Sequence, residues 1–259
     1  MDLGIAGKRA LVTASSKGLG RGCAEALAAA GVNLVLNARG AEALERTAED
    51  IRSTHGVEVT AVAADIVDEA GRARVLEAAG QVDILVTNAG GPPPGFWQDW
   101  EREDFIKALD ANMLAPIALI KAQLPGMIEA GWGRVVNITS ASVRSPIAQL
   151  GLSNSARAGL TGYVAGTARQ VARHGVTINN LLPGSHDTDR IKSLTQATAE
   201  RDGLSFDDAA RQRNAANPTG RIGTAEEFGN TCAFICSQHA GFLVGQNILL
   251  DGGAFNATT

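Results

Sequence analysis

Charge of one sign, cysteine, aromatic rings and long apolar runs are all scarce in this sequence. Its 23 Lys and Arg stand against 27 Asp and Glu, and the formal charge of -4 leaves no basic footprint for nucleic acid and no charged tail. No apolar run approaches a membrane span, and the opening residues M-D-L-G-I-A-G-K-R carry no secretory core. The expectation is a soluble, cytoplasmic protein with neither nucleic acid nor membrane as partner. Three cysteines, an odd number, argue against a disulfide framework and suit a reducing compartment. Cys232, Cys236 and His239 share one helical face, but the small apolar residues of T-C-A-F-I-C-S surround them and no fourth ligand follows, so no metal site is expected.

What is present is a core and many turns. Of the 259 residues 45% are hydrophobic and 30 are glycine, which fits one α/β domain over 1–259. Short apolar runs read as strands at Arg9 to Thr13, Asn33 to Asn37, Glu58 to Ala63, Val82 to Thr87, Arg134 to Ile138, Thr177 to Leu181 and Gln246 to Leu250. Helical patterns lie between them, at Leu19 to Ala30, Ala41 to about His55, Asp68 to Ala79, a long region from about Glu103 to Ala130, and about Leu150 to Ala172. Seven strands alternating with helices imply a Rossmann-type, doubly wound, mostly parallel sheet covered on both faces. Ligands of such sheets lie beyond the carboxyl ends of the strands, so the loops starting at Ala14, Ala38, Ala64, Asn88, Thr139 and Pro183 matter most. The polar segment from 184 to 220 has no strand pattern but a helical signal, and it is expected to act as a lid.

The stretch V-T-A-S-S-K-G-L-G from Val12 to Gly20 carries the strongest local chemistry. A strand enters it and a helix leaves it, and the small residues Ala14, Ser15, Ser16, Gly18 and Gly20, with Lys17 and Leu19, let a backbone approach a phosphate at the helix start.

Five stretches in order resemble the short-chain dehydrogenase/reductase family, in its 3-oxoacyl-acyl-carrier-protein reductase-like form, along nearly the whole chain. They are T-A-S-S-K-G-L-G at Thr13 to Gly20, D-I at Asp65 and Ile66, N-A-G at Asn88 to Gly90, P-G-S-H-D-T at Pro183 to Thr188, and G-Q-N-I-L-L-D-G-G at Gly245 to Gly253. The resemblance implies NADP(H) as cofactor. Asp65 and Ile66 would meet the adenine, Asn88, Ala89 and Gly90 the adenosine ribose, and Pro183, Gly184 and Thr188 the nicotinamide side. It also implies that Asn112 holds a helix bend and a water, and that Ser140 hydrogen-bonds a substrate carbonyl. Read without it, Asn112 is a helix-surface amide and Ser140 a strand-end hydroxyl.

The sequence departs from the family where the catalytic tyrosine and lysine should stand four apart. Counting from Ser140, with A-G-L at Ala158 to Leu160 fixing the register, those positions hold Ser153 and Arg157. A serine hydroxyl does not titrate as a phenol does, whereas Arg157 keeps a cationic fork for the nicotinamide ribose. Tyr163, the one tyrosine, lies about 15 Å further along the helix and on another side of it. Ala14 stands where the family has its first glycine. The remaining titratable candidate for a proton donor is His186, whose pKa Asp187 would raise; read blandly, it is a loop histidine facing solvent.

Three readings follow: an atypical reductase of a ketone or 3-oxoacyl-type carbonyl, on a small-molecule or acyl-thioester substrate; an NADP(H)-binding protein without turnover; or a dehydratase- or isomerase-type enzyme using the same pocket. Asn37 to Arg39 ends the second strand without an acidic residue, so Arg39 and Lys17 are expected to favour the 2′-phosphate of NADP. The apolar helical regions around Asn112 and Ser153 and the last strand match the surfaces through which the family forms dimers and tetramers, and a homotetramer is expected.

Overall fold

The computed structural model describes residues 1–258. Seven strands, β1 (Arg9–Val12), β2 (Asn33–Ala38), β3 (Val59–Ala63), β4 (Ile84–Thr87), β5 (Gly133–Ile138), β6 (Val176–Pro183) and β7 (Asn247–Leu250), form one sheet in the order β3-β2-β1-β4-β5-β6-β7. Every pairing between them is parallel. The chain winds outward from β1 to one edge, then returns to β4 and winds to the other, so the direction of winding reverses between β1 and β4. This is the doubly wound sheet expected from the alternation of patterns, and the reversal opens a crevice at the strands' carboxyl ends.

Because alternate strand residues point to opposite faces, the core divides in two. On one face Ala10, Val12, Leu36, Ile84 and Val86 pack under α1 (Gly18–Ala29), α2 (Ala41–His55) and, through Phe228 and Cys232, α9 (Ala225–Ile235). On the other, Leu11, Val35, Leu85 and Val135 pack under α3 (Glu69–Ala79), α5 (Ala115–Glu129) and α6 (Gly151–Val171). The last helix, α9 (Ala225–Ile235), crosses α1 at close range because Gly22 and Gly229 meet there; a Cβ on Gly229 would lie 2.1 Å from the Gly22 carbonyl oxygen.

Two helical regions take a more detailed form than their sequence patterns. The long helix from Glu103 to Ala130 is interrupted: α4 (Arg102–Leu109) passes through a π-turn at Asp110–Leu114 before α5 begins. Pro116 has no N–H to return to the carbonyl of Asn112, so the ordinary bond is missing and the Ala115 amide reaches Asp110 instead. The segment from 184 to 220 holds two helices, α7 (Asp189–Asp202) and α8 (Phe206–Ala215), whose starts are capped by the Thr188 and Ser205 hydroxyls. Among the described residues no helix is long and apolar enough to cross a membrane.

Candidate active site

The loop after β1 is built to leave amides free. Lys17, the residue before α1, is extended and offers no side-chain cap, and the first turn has no acidic residue, so the amides of Gly18, Leu19 and Gly20 open the helix without an internal partner. Gly20 is required by proximity, since a Cβ there would lie 2.3 Å from the Ala14 carbonyl oxygen and 2.9 Å from Asn88 Nδ2. Ala14 itself has φ of 46°, in the left-handed region that costs an L-residue about 1–2 kcal/mol. Glycine would adopt this angle freely, so Ala14 is a strained point in the loop.

Neutral hydrogen bonds knit the neighbouring loops to this one. The Thr13 hydroxyl donates to the Asn88 carbonyl at 2.7 Å and accepts from the Asn88 amide at 2.8 Å, and Asn88 Nδ2 donates to the Ala14 carbonyl at 3.3 Å. Buried Ser15 donates to the Asn37 carbonyl and accepts from its amide, while Asn37 Nδ2 donates to the Val62 and Ala64 carbonyls, both at 3.0 Å. Asn37 was read in the sequence only as part of a strand end; it clamps the loops after β1, β2 and β3 together. Asp65 accepts from the Val67 amide and lies exposed, with Ile66 buried beside it. Thr188 reaches Gly18, where a Cβ would stand 3.4 Å from its methyl group. The loops after β1, β2, β3, β4 and β6 thus line one edge, and Ala89 and Gly90 lie on it.

Lys17 and Arg39 behave differently from one another. Lys17 Nζ pairs with Asp189 at 2.6 Å, across an exposed gap to the first turn of α7, and this contact lowers the Asp189 pKa. Arg39 is exposed at the end of β2, with no carboxylate partner among the described residues.

On the other side of the crevice stand β5, the π-turn and α6. Ser140 caps a short turn and accepts from the Ser142 amide at 3.1 Å, so its own hydrogen is free to donate. Asn112, at the centre of the π-turn, is 2% exposed rather than a helix-surface amide; Nδ2 donates to the Ala108 carbonyl, and buried Oδ1 has no partner. Asn112 and Arg157 line a narrow crevice with Thr87, Asn88, Ala89 and Ile138. Arg157 donates through Nη1 to the Ile138 carbonyl at 2.7 Å, through Nη2 to the Ala89 carbonyl and through Nε to Ser153 Oγ, both at 3.3 Å. Burial, reinforced by the charge of Arg190, pushes its pKa down to about 10. Ser153 is buried on the same helix and keeps its hydrogen free.

His186 is drawn into the core rather than left in solvent. It is 5% exposed, its ring meets Phe228 edge-on with centroids 5.3 Å apart, and Nδ1 faces the Gly184 carbonyl. Burial lowers its pKa. Asp187 pairs with Lys192 and does not raise it. The expectation that Asp187 raises the His186 pKa, and the bland reading of a loop histidine facing solvent, are therefore corrected: the ring packs under α9, beside the Gly223 strand bridge. Nor do Cys232, Cys236 and His239 converge, because both thiols turn inward and the imidazole meets the Asp2 carbonyl. A second groove between α7 and α8, about 490 Å³, is lined by residues such as Thr198, Arg213 and Asn217 and reaches Ser185 in the loop after β6.

The donor set fits a dinucleotide: uncapped amides for a pyrophosphate, an exposed carboxylate at Asp65 for the adenine, and a cationic fork at Arg157 for ribose hydroxyls.

Comparison with known proteins agrees. The family model described as enoyl-(acyl carrier protein) reductase matches residues 13–254. The chain is 32% identical to the 3-oxoacyl-[acyl-carrier-protein] reductase FabG of Escherichia coli (strain K12) over 255 residues, covering 96% of this chain and 98% of that one. It is 29% identical to the NADPH-dependent reductase BacG of Bacillus subtilis (strain 168), covering 96% and 98%. The crystal structure of L-sorbose reductase from Gluconobacter frateurii, complexed with NADPH and L-sorbose, superposes with a TM-score of 0.94 at 28% identity, covering 99% of this chain and 100% of that chain. A strand-to-helix glycine loop locked to the N-A-G loop on an all-parallel sheet, matched over almost the full length, places this chain in the short-chain dehydrogenase/reductase family of oxidoreductases.

Proposed function

We propose that the protein is an atypical NADP(H)-dependent carbonyl reductase whose proton supply differs from that of its relatives. The observation that carries this reading is the pairing of an uncapped α1 start with the free Ser140 hydroxyl along one edge of the sheet. When bound, the nicotinamide supplies the hydride. Gly18, Leu19 and Gly20 hold the pyrophosphate, Asp65 and Ile66 meet the adenine, and Asn88, Ala89 and Gly90 shape the ribose site. Pro183, Gly184 and Thr188 flank the nicotinamide, and Arg157 holds its ribose. With Lys17 engaged by Asp189, Arg39 is the cation left for a 2′-phosphate. Fluorescence titration should show NADPH binding more tightly than NADH, and equal or tighter NADH binding would overturn the preference.

Ser140 donates to the substrate carbonyl and polarises it. Asn112 Oδ1, buried without a partner, holds a water there. That water delivers the proton to the alkoxide and takes a replacement proton from bulk solvent, with Ser153, oriented by Arg157, as the adjoining hydroxyl. General acid catalysis contributes about 10²–10⁴-fold while positioning contributes about 7–11 kcal/mol, so loss of a phenol slows the reaction without abolishing it. The helices α7 and α8 act as the lid over the substrate, and the exposed small face of α6, with Ala158, Gly162 and Ala165, supports assembly into a tetramer, which light scattering checks.

Absorbance of NADPH against a panel of ketones and 3-oxoacyl thioesters tests the reading. Ser153→Tyr combined with Arg157→Lys should raise the rate by at least about a hundredfold. If that variant binds NADPH and gains nothing, the reductase reading gives way to a binding or non-redox role. The second reading, binding without turnover, is favoured by the place of Tyr163, which packs against the core cluster of α3, α5 and α6 rather than beside Ser140.

A further inference from the structure

Two arginines bracket the loop after β4, and neither has a carboxylate partner among the described residues. Arg157, 7% exposed, donates to the Ala89 carbonyl from α6. Arg190, half-buried in the first turn of α7, donates through Nη2 to the Pro92 carbonyl at 2.8 Å and lies over Gly91, whose absent Cβ would stand 3.5 Å from the guanidinium carbon. The acids nearest in sequence are already engaged: Asp187 with Lys192 at 3.4 Å and Asp189 with Lys17 at 2.6 Å. Each guanidinium carries five N–H donors, of which Arg157 uses three and Arg190 one. The two cations repel one another, which contributes to lowering the Arg157 pKa, and burial lowers that of Arg190. Positive charge held in a partly dry loop without a counterion is costly unless a ligand brings the anion. A nicotinamide ribose does not, since its hydroxyls are neutral.

We propose that Arg190, with the charge of Arg157 behind it, forms a subsite for a carboxylate on the substrate, so that the site selects oxo acids in their free form over neutral ketones, esters and thioesters. The planar fork of Arg190 matches the two oxygens of a carboxylate, and the N-A-G-G-P-P-P loop between the two arginines sets the separation of the acid from the carbonyl held by Ser140. This rests on the reductase reading only for the carbonyl; the acid preference itself is a binding property.

Calorimetric titration of the NADPH-saturated protein with pyruvate, acetoacetate and 4-oxopentanoate, each beside its methyl ester, tests it. At least one acid should bind about tenfold or more tightly than its ester, as expected when a charged hydrogen bond is gained. Arg190→Gln should abolish that preference and Arg190→Lys should restore part of it, while NADPH affinity stays within about twofold of the parent. Three results overturn the proposal: no acid binds at millimolar concentration, esters bind as tightly as acids, or Arg190→Gln weakens NADPH as much as it weakens the acid, which would assign Arg190 to a cofactor phosphate. An acid that binds in this way without oxidising NADPH leaves the subsite standing and refutes only the reductase reading.

Discussion

The loop after β1 is held to the loop after β4 through Thr13 and Asn88 and to β2 through Ser15, all by neutral hydrogen bonds, whereas the facing wall on α6 is organised around the buried cation of Arg157. In the first wall the side chains hold their geometry without a ligand, because each of these polar groups has a protein partner, and only the backbone amides at the start of α1 stay open. The second wall is incomplete without a ligand. A guanidinium whose pKa stands at about 10 rather than the ordinary 12.5 is destabilised as a cation by about 3 kcal/mol. Cofactor-loop geometry is thus a property of the fold itself, while the chemistry of the facing wall depends on what the ligand brings.

Gly20→Ala strikes the neutral wall and should have the largest effect. Its Cβ would overlap the Ala14 carbonyl, and a backbone atom cannot yield as a side chain can. Urea unfolding should show a loss of about 1–3 kcal/mol, and NADPH titration should show binding weakened beyond detection. Normal NADPH affinity in a folded variant would remove this loop from the cofactor site.

Arg157→Met tests the charged wall. Removing the cation strands the carbonyls of Ile138 and Ala89 but also relieves the buried charge, so stability should change by no more than about 1 kcal/mol while NADPH affinity falls about tenfold. A large loss of stability with unchanged NADPH affinity would make Arg157 a structural residue and erase the contrast.

Ala14→Gly returns to the neutral wall with the opposite sign. Relief of the left-handed strain at φ 46° outweighs the extra freedom glycine has when unfolded, and a gain of about 0.5–1 kcal/mol is expected in the same urea experiment.

The smallest effect concerns His186. Burial lowers its pKa below the ordinary 6.5, so the unfolded chain takes up the proton first as pH falls. The neutral ring's contribution is complete above 6.5 and is lost as pH drops from there towards the folded value. The melting temperature should decline over that interval, and His186→Gln should flatten the decline; an unchanged profile would mean that the ring is not held neutral against Phe228.

Much of this was legible in the residues. The apolar runs located all seven strands, and the small residues of Val12 to Gly20 located the uncapped helix start. The bend at Asn112 was reached only through the family resemblance, although Pro116 is a local signal for the π-turn, since a missing N–H four residues after Asn112 breaks the ladder. Arg190 carried no such signal: in a polar segment nothing distinguishes an arginine that folds over Gly91 from one in solvent.

The division follows from range. Strand and helix periodicities are local, so the sequence by itself determined the alternation of elements, the parallel sheet and the loops that would face a ligand. Only the tertiary structure decided which charges find partners and which groups leave water. Lys17 meets Asp189 from across the chain, His186 is dried by Phe228, and Arg157 is buried without an acid, because pairing and desolvation depend on segments that sequence distance does not relate.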